Sequence, residues 1–169
     1  MSRPRREPVV AIVALGAAYA AFSFLLHRAG VSPRAVWLPI DPARYYLAQT
    51  FFVAPLFLIL TALYVYLVRL LAGGGRRVSF RASFERLASA YAWPILLLFV
   101  VPDVSVFLAA GHAALAKAMR FYGPLAPIAI VVLTTLRARS LFGCGAARAA
   151  AASFVALIAQ GVVGAVALR

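Results

Sequence analysis

Residues 45–71 read YYLAQTFFVAPLFLILTALYVYLVRLL. Arg69 is the one charged residue in the stretch, and it stands two residues from the end. A helix needs roughly 20 apolar residues to cross the hydrocarbon of a bilayer, and this run exceeds that. Tyr45 and Tyr46 mark one membrane interface, where amphipathic rings settle at headgroup level. Arg69 can extend its charge toward the other while its methylenes stay in lipid. Pro55, near the middle, predicts a kink.

The same reading extends in both directions. Four more apolar runs are expected to span, over about residues 8–26, 87–110, 121–136 and 149–168. The first lies behind Arg3, Arg5 and Arg6 and is longer than the apolar core of a secretory signal peptide, so it reads as a retained helix. Pro33, Pro39 and Pro42 break residues 27–44 into an interfacial connector, with Trp37 at headgroup level. Gly73-Gly74-Gly75 ends the second span. Ser79 to Arg86 reads as a short amphipathic helix on the membrane surface, with Phe80, Phe84 and Leu87 on one face. There Phe80 and Phe84 are expected to insert, while Arg77 and Arg81 meet anionic headgroups. Pro94 and Pro102 interrupt the third span. Gly111 to Arg120 reads as a connector. The fold class is therefore an all-α polytopic bundle of about five transmembrane helices, one transmembrane domain covering 1–169.

Composition agrees. The 169 residues are 65% hydrophobic and 12% charged, with a mean hydropathy of +0.96. A soluble domain is roughly 45–50% apolar and about 25% charged. The net charge of +13 does not point to nucleic acid, because the basic residues fill short gaps between apolar runs instead of forming a water-facing reading surface. They divide unevenly. Arg3, Arg5, Arg6, Arg69, Arg76, Arg77, Arg81, Arg86, Arg137, Arg139 and Arg148 fall on one side of the predicted spans. Arg28, Arg34, Arg44, Lys117, Arg120 and Arg169 fall on the other. The richer side is expected in the cytoplasm, which puts the N-terminus inside and the C-terminus outside. The near-exclusive use of Arg, with abundant Ala, points to a bacterial inner membrane.

Chemistry is sparse. The acids are Glu7, Asp41, Glu85 and Asp103, and the histidines are His27 and His112. No three strong ligands cluster as a metal site requires, and no nucleophile stands beside a base. The reading is of no catalytic residue, no metal and no cofactor. Asp103 is the one acid inside a predicted span, and a lone carboxylate there is costly. Arg44 and Arg120 begin spans at the same interface, so either is expected to pair with it and tie the third helix to the second or fourth. Small residues that let helices approach closely are Gly16 and Ala20 in the first span, and Gly161 and Gly164 in the last.

Three stretches resemble the Yip1 family of five-span membrane proteins, particularly its small bacterial members. The first is Tyr-Tyr-Leu-Ala-Gln-Thr-Phe-Phe-Val-Ala-Pro, residues 45–55. The second runs from Gly73-Gly74-Gly75 to Ser79-Phe80, then Phe84, Leu87, Tyr91, Ala92 and Pro94. The third is Leu136 to Ala149. The likeness covers roughly residues 45–169. It implies a non-enzymatic protein that shapes or organises membranes through helix–helix contacts, with lipid, further copies of itself or other membrane proteins as partners. Eukaryotic members carry a longer N-terminal region with an Asp-Leu-Tyr-Gly-Pro-type motif and are linked to Rab GTPases. That motif is absent here, so a GTPase partner does not carry over. The competing expectation is a small transporter or channel subunit, which requires Asp103, Gln160 and the prolines to converge on one cavity.

Overall fold

In a computed structural model of the chain, residues 6–33, 39–73 and 78–168 are described. These residues form helices and connecting turns, with no strand among them. The helices are α1 (Glu7–Arg28), α2 (Tyr45–Ala72), α3 (Phe80–Ile95), α4 (Val101–Ala110), α5 (His112–Tyr122), α6 (Leu125–Phe142) and α7 (Ala146–Leu168). A 3-10 turn, Pro42–Arg44, leads into α2, and a π-helical stretch, Leu96–Val100, joins α3 to α4. Five stretches are long and apolar enough to cross a membrane: Glu7–Arg28, Pro42–Ala72, Phe80–Ala110, His112–Phe142 and Ala146–Gly164. The chain is an all-α, multi-pass membrane bundle.

Local chemistry sets the boundaries. Ser79 caps α3, its hydroxyl accepting from the Ala82 N–H at 3.2 Å. Asp41 accepts from the Ala43 N–H at 2.9 Å and opens the 3-10 turn. Gly143 ends α6 in the left-handed conformation that favours glycine (φ 65°), its N–H on the Arg139 carbonyl. Gly111, at φ 76°, alone turns the chain from α4 to α5. The π-helical stretch lies between Pro94 and Pro102, two residues without an N–H to give. The Val101 N–H reaches back five residues to the Leu96 carbonyl, so a wide turn takes up the lost bonds.

Three expectations change. Ser79–Arg86 is not a separate surface helix: Phe80 opens α3, which runs on to Ile95. No glycine or proline falls between Phe80 and Trp93 to stop it. Ser83 and Leu87 are fully buried and Phe84 packs against the core, while Phe80 is 38% exposed and stacks obliquely on Phe84. Arg81 points outward and pairs with Glu85 one turn on. The expected Gly111–Arg120 connector is helical from His112 onward, because after Gly111 the Ala-rich segment holds no breaker before Gly123-Pro124. The last helix turns of α6 likewise run past Leu136, through Arg137 to Ser140, to the stop at Gly143. Trp37, Arg34 and Arg77 lie outside the described residues.

The spans alternate in direction and close a ring in the order α1, α2, α7, α6, α3, with α2 and α3 also touching across it. α5 folds back on α4. The tightest approach joins α1 to α2. A Cβ placed on Gly16 would stand 2.9 Å from the Ala54 Cβ and 3.1 Å from its Cα, so glycine is what lets these backbones meet. Ala20 is partly buried against the same core, and Gly164 is half-buried. Gly161 faces outward with nothing within 4 Å of a Cβ built there, and takes no part in packing within the chain. Val13, Phe51, Ile59, Leu108, Ile128 and Ile158 lie on the outer, lipid-facing surface.

Candidate functional site

Helical spacing brings five polar groups from four spans into the middle of the ring. Tyr64 of α2 donates to the Thr134 hydroxyl of α6 at 3.0 Å, and its oxygen lies 2.6 Å from the Ser153 hydroxyl of α7. Its ring stacks on Tyr91 of α3, with centroids 4.9 Å apart and planes inclined by 29°. The Tyr91 hydroxyl accepts from the Gln160 amide, also on α7. Ser153 and Gln160 stand seven residues apart, two turns along one helix face. The Gln160 amide oxygen is buried and has no partner among the described residues. All five side chains are buried. A buried hydroxyl or amide in a lipid-surrounded bundle is costly unless another helix satisfies it, so the cluster ties four spans together. Ser23 of α1 adds the fifth by donating to the Gln49 amide oxygen of α2 at 2.9 Å.

The end where α1 begins is clasped by arginines. Arg148 of α7 donates to the Leu71 carbonyl of α2 at 3.0 Å, and Arg69 to the Val78 carbonyl at 2.9 Å. Arg137 of α6 donates to the Arg86 carbonyl at 3.0 Å and to the buried Ser89 hydroxyl at 2.5 Å, both on α3. It also lies 4.0 Å from Glu7 of α1. The Leu71 carbonyl belongs to the last turn of α2, where carbonyls lack intrahelical donors and the helix dipole favours a cation.

Asp103 is 6% exposed and accepts from the Tyr122 hydroxyl. The expected partners are elsewhere: Arg44 and Arg120 are both exposed, and neither forms an ion pair with it. The reason is angular. Arg120 and Tyr122 are two residues, about 200°, apart around α5. Tyr122 lies on the half-buried side of α5 and Arg120 on the open side. The tie to the fourth span is thus made by a phenol, not a guanidinium.

No three His, Cys, Asp or Glu side chains gather among the described residues. Ser105 is exposed and bonds the Val101 carbonyl of its own helix. The residues of these contacts that sequence reasoning passed over are Tyr64, Tyr122, Ser153, Ser23 and Ser89. The only signal they carry is a single polar atom inside an apolar run. Comparison of the chain with protein-family models, with characterised proteins and with solved structures gives no match.

Proposed function

We propose that the chain is a non-enzymatic scaffold of the Yip1 type that organises the bilayer through helix–helix contacts. The observation that carries this reading is how the buried polar groups are used. Tyr64, Tyr91, Thr134, Ser153 and Gln160 face one another across four spans, and Asp103 is engaged separately by α5. Asp103 and Gln160, which a midplane transport site would bring together, serve different helix pairs. The test is reconstitution of the purified chain into phosphatidylethanolamine–phosphatidylglycerol liposomes. A scaffold leaves ion and small-solute leakage at the level of empty liposomes, and it changes vesicle diameter or shape as protein density rises. Saturable solute flux with unchanged vesicle shape overturns it.

One feature favours a second reading, a small transporter subunit. The third span is widened by its π-helical stretch between Pro94 and Pro102, directly before the buried Asp103. Broken helices beside polar groups are a common transporter device. Flux abolished by Asp103→Asn at unchanged thermal stability would select this reading.

The proposed setting is a bacterial inner membrane with the arginine-clasped end in the cytoplasm. Cys144, the chain's one thiol, stands in the loop between α6 and α7 at that end. An impermeant maleimide is expected to label it only after the membrane is opened. Labelling of intact cells reverses the orientation.

A further inference from the structure

The end where α1 finishes carries a second set of cations that no protein group engages. Arg28 at the end of α1, Arg44 before α2, and Lys117 and Arg120 on α5 are exposed. None of their side chains hydrogen-bonds or forms an ion pair among the described residues. None of the four acids forms an ion pair with them. Glu7 and Glu85 lie at the opposite end, Asp103 is buried under Tyr122, and Asp41 holds the Ala43 N–H.

Depth gives these cations a common level. The contact between Arg137 and Glu7 sets the level of the clasped end. The 22 residues of α1 rise about 33 Å from Glu7 to Arg28. Counting back from Arg137 through α6 and α5 gives about 25 Å to Arg120 and about 30 Å to Lys117. The hydrocarbon core of a bilayer is about 30 Å thick. When Arg137 stands at one headgroup layer, Lys117 stands at the other, and Arg120, about one turn short of it, reaches it by extending its side chain.

The chemistry of α5 suits that place. Leu115, Ala118, Met119 and Tyr122 are half-buried, while Lys117, Arg120 and Phe121 are exposed, Phe121 at 83%. Phe121 follows Lys117 by one helical turn and adjoins Arg120. An aromatic ring flanked by two cations matches the boundary between acyl chains and phosphates.

We infer that this face of α5 is a binding surface for anionic phospholipid, with Lys117 and Arg120 on the headgroup phosphate and Phe121 among the upper acyl carbons. Arg28 and Arg44 extend the cationic rim at the same level. The occupant is a lipid and not a free anion, because the apolar ring needs acyl contact and the cations sit at headgroup depth.

The test uses the full chain in mild detergent, with thermal unfolding and native mass spectrometry as readouts. The probes are phosphatidylglycerol, phosphatidylcholine of the same acyl chains, and inorganic phosphate. Phosphatidylglycerol is expected to raise the unfolding midpoint and to bind on the order of tenfold more tightly than phosphatidylcholine. The double variant Lys117→Gln/Arg120→Gln loses most of that preference, and each single variant loses part. Both side chains are exposed, and should the double variant aggregate, the two singles carry the test. Arg139→Gln, an exposed arginine at the clasped end, keeps the preference. Equal binding of the two lipids overturns the inference, as does stabilisation by phosphate alone or a double variant that still prefers phosphatidylglycerol.

Discussion

At the end where α1 begins, Arg137 and Arg148 turn their guanidinium groups onto backbone carbonyls of neighbouring helices, and Arg69 onto the Val78 carbonyl in the turn before α3. At the end where α1 finishes, Arg28, Arg44, Lys117 and Arg120 are exposed and their side chains have no acceptor among the described residues. The two sets look alike in the sequence, as basic residues flanking apolar runs. Their surroundings separate them. At the clasped end, the last turn of α2, the turn before α3 and the first half of α3 each present a carbonyl within reach of a guanidinium. At the open end, the one buried acid is met by a hydroxyl on the covered side of α5, and the cations occupy the uncovered side. A count of arginines predicts the orientation of such a chain; it does not say which arginines hold the helices together.

Substitutions can break that contrast. The largest loss is expected for Arg137→Ala, which removes the donor to Arg86 and Ser89 and leaves the Ser89 hydroxyl buried. Hydrogen bonds from charged groups contribute about 1.5–3 kcal/mol, so thermal unfolding in detergent should register a loss of about 2–3 kcal/mol. A change below about 0.5 kcal/mol, the usual size for a plain surface substitution, erases the distinction between the ends. Tyr122→Phe comes next, at about 1–2 kcal/mol, because it leaves the Asp103 carboxyl buried without its donor. Since the partner is the phenol, adding Arg120→Gln to Asp103→Asn is expected to restore no stability. Recovery in that double variant would return the pairing to arginine. Arg148→Ala loses one bond to the Leu71 carbonyl and should cost about 1 kcal/mol in the same assay. The smallest effect belongs to Arg44→Gln, within about 0.5 kcal/mol in detergent without anionic lipid. A larger loss would show that the open end also carries a structural cation.

The five crossings were legible because length and hydropathy decide them, and α2 alone gives the scale. Less could be read where an acceptor has no sequence signature. The carbonyls of Leu71, Val78 and Arg86 belong to every residue type, so the clasp could not be foreseen from the arginines. Asp103 stood out as a buried acid, but a search for the opposite charge led to Arg44 and Arg120 and passed over Tyr122. Gly111 and Lys117 made α5 resemble a connector, although the alanines between them carry helix. Pro94 and Pro102 correctly marked an interruption in the third span, and its form, a wide turn instead of a gap, depends on the bundle packed around it. Gly16 and Gly161 look equivalent as small residues, yet only Gly16 meets another backbone, Ala54, within the chain.

Gly111 bears on how the protein is made. A one-residue link gives α4 and α5 no slack, so the third and fourth crossings cannot enter the bilayer one after the other with a loop waiting between them. With the clasped end in the cytoplasm, as proposed, Lys117 and Arg120 would cross the hydrocarbon with α4 already alongside, and the Asp103–Tyr122 bond could close during that passage. In that orientation the pair is expected to enter the membrane as a single hairpin. A longer linker inserted at Gly111 would uncouple the two crossings during synthesis, before any question of the finished bundle's stability arises.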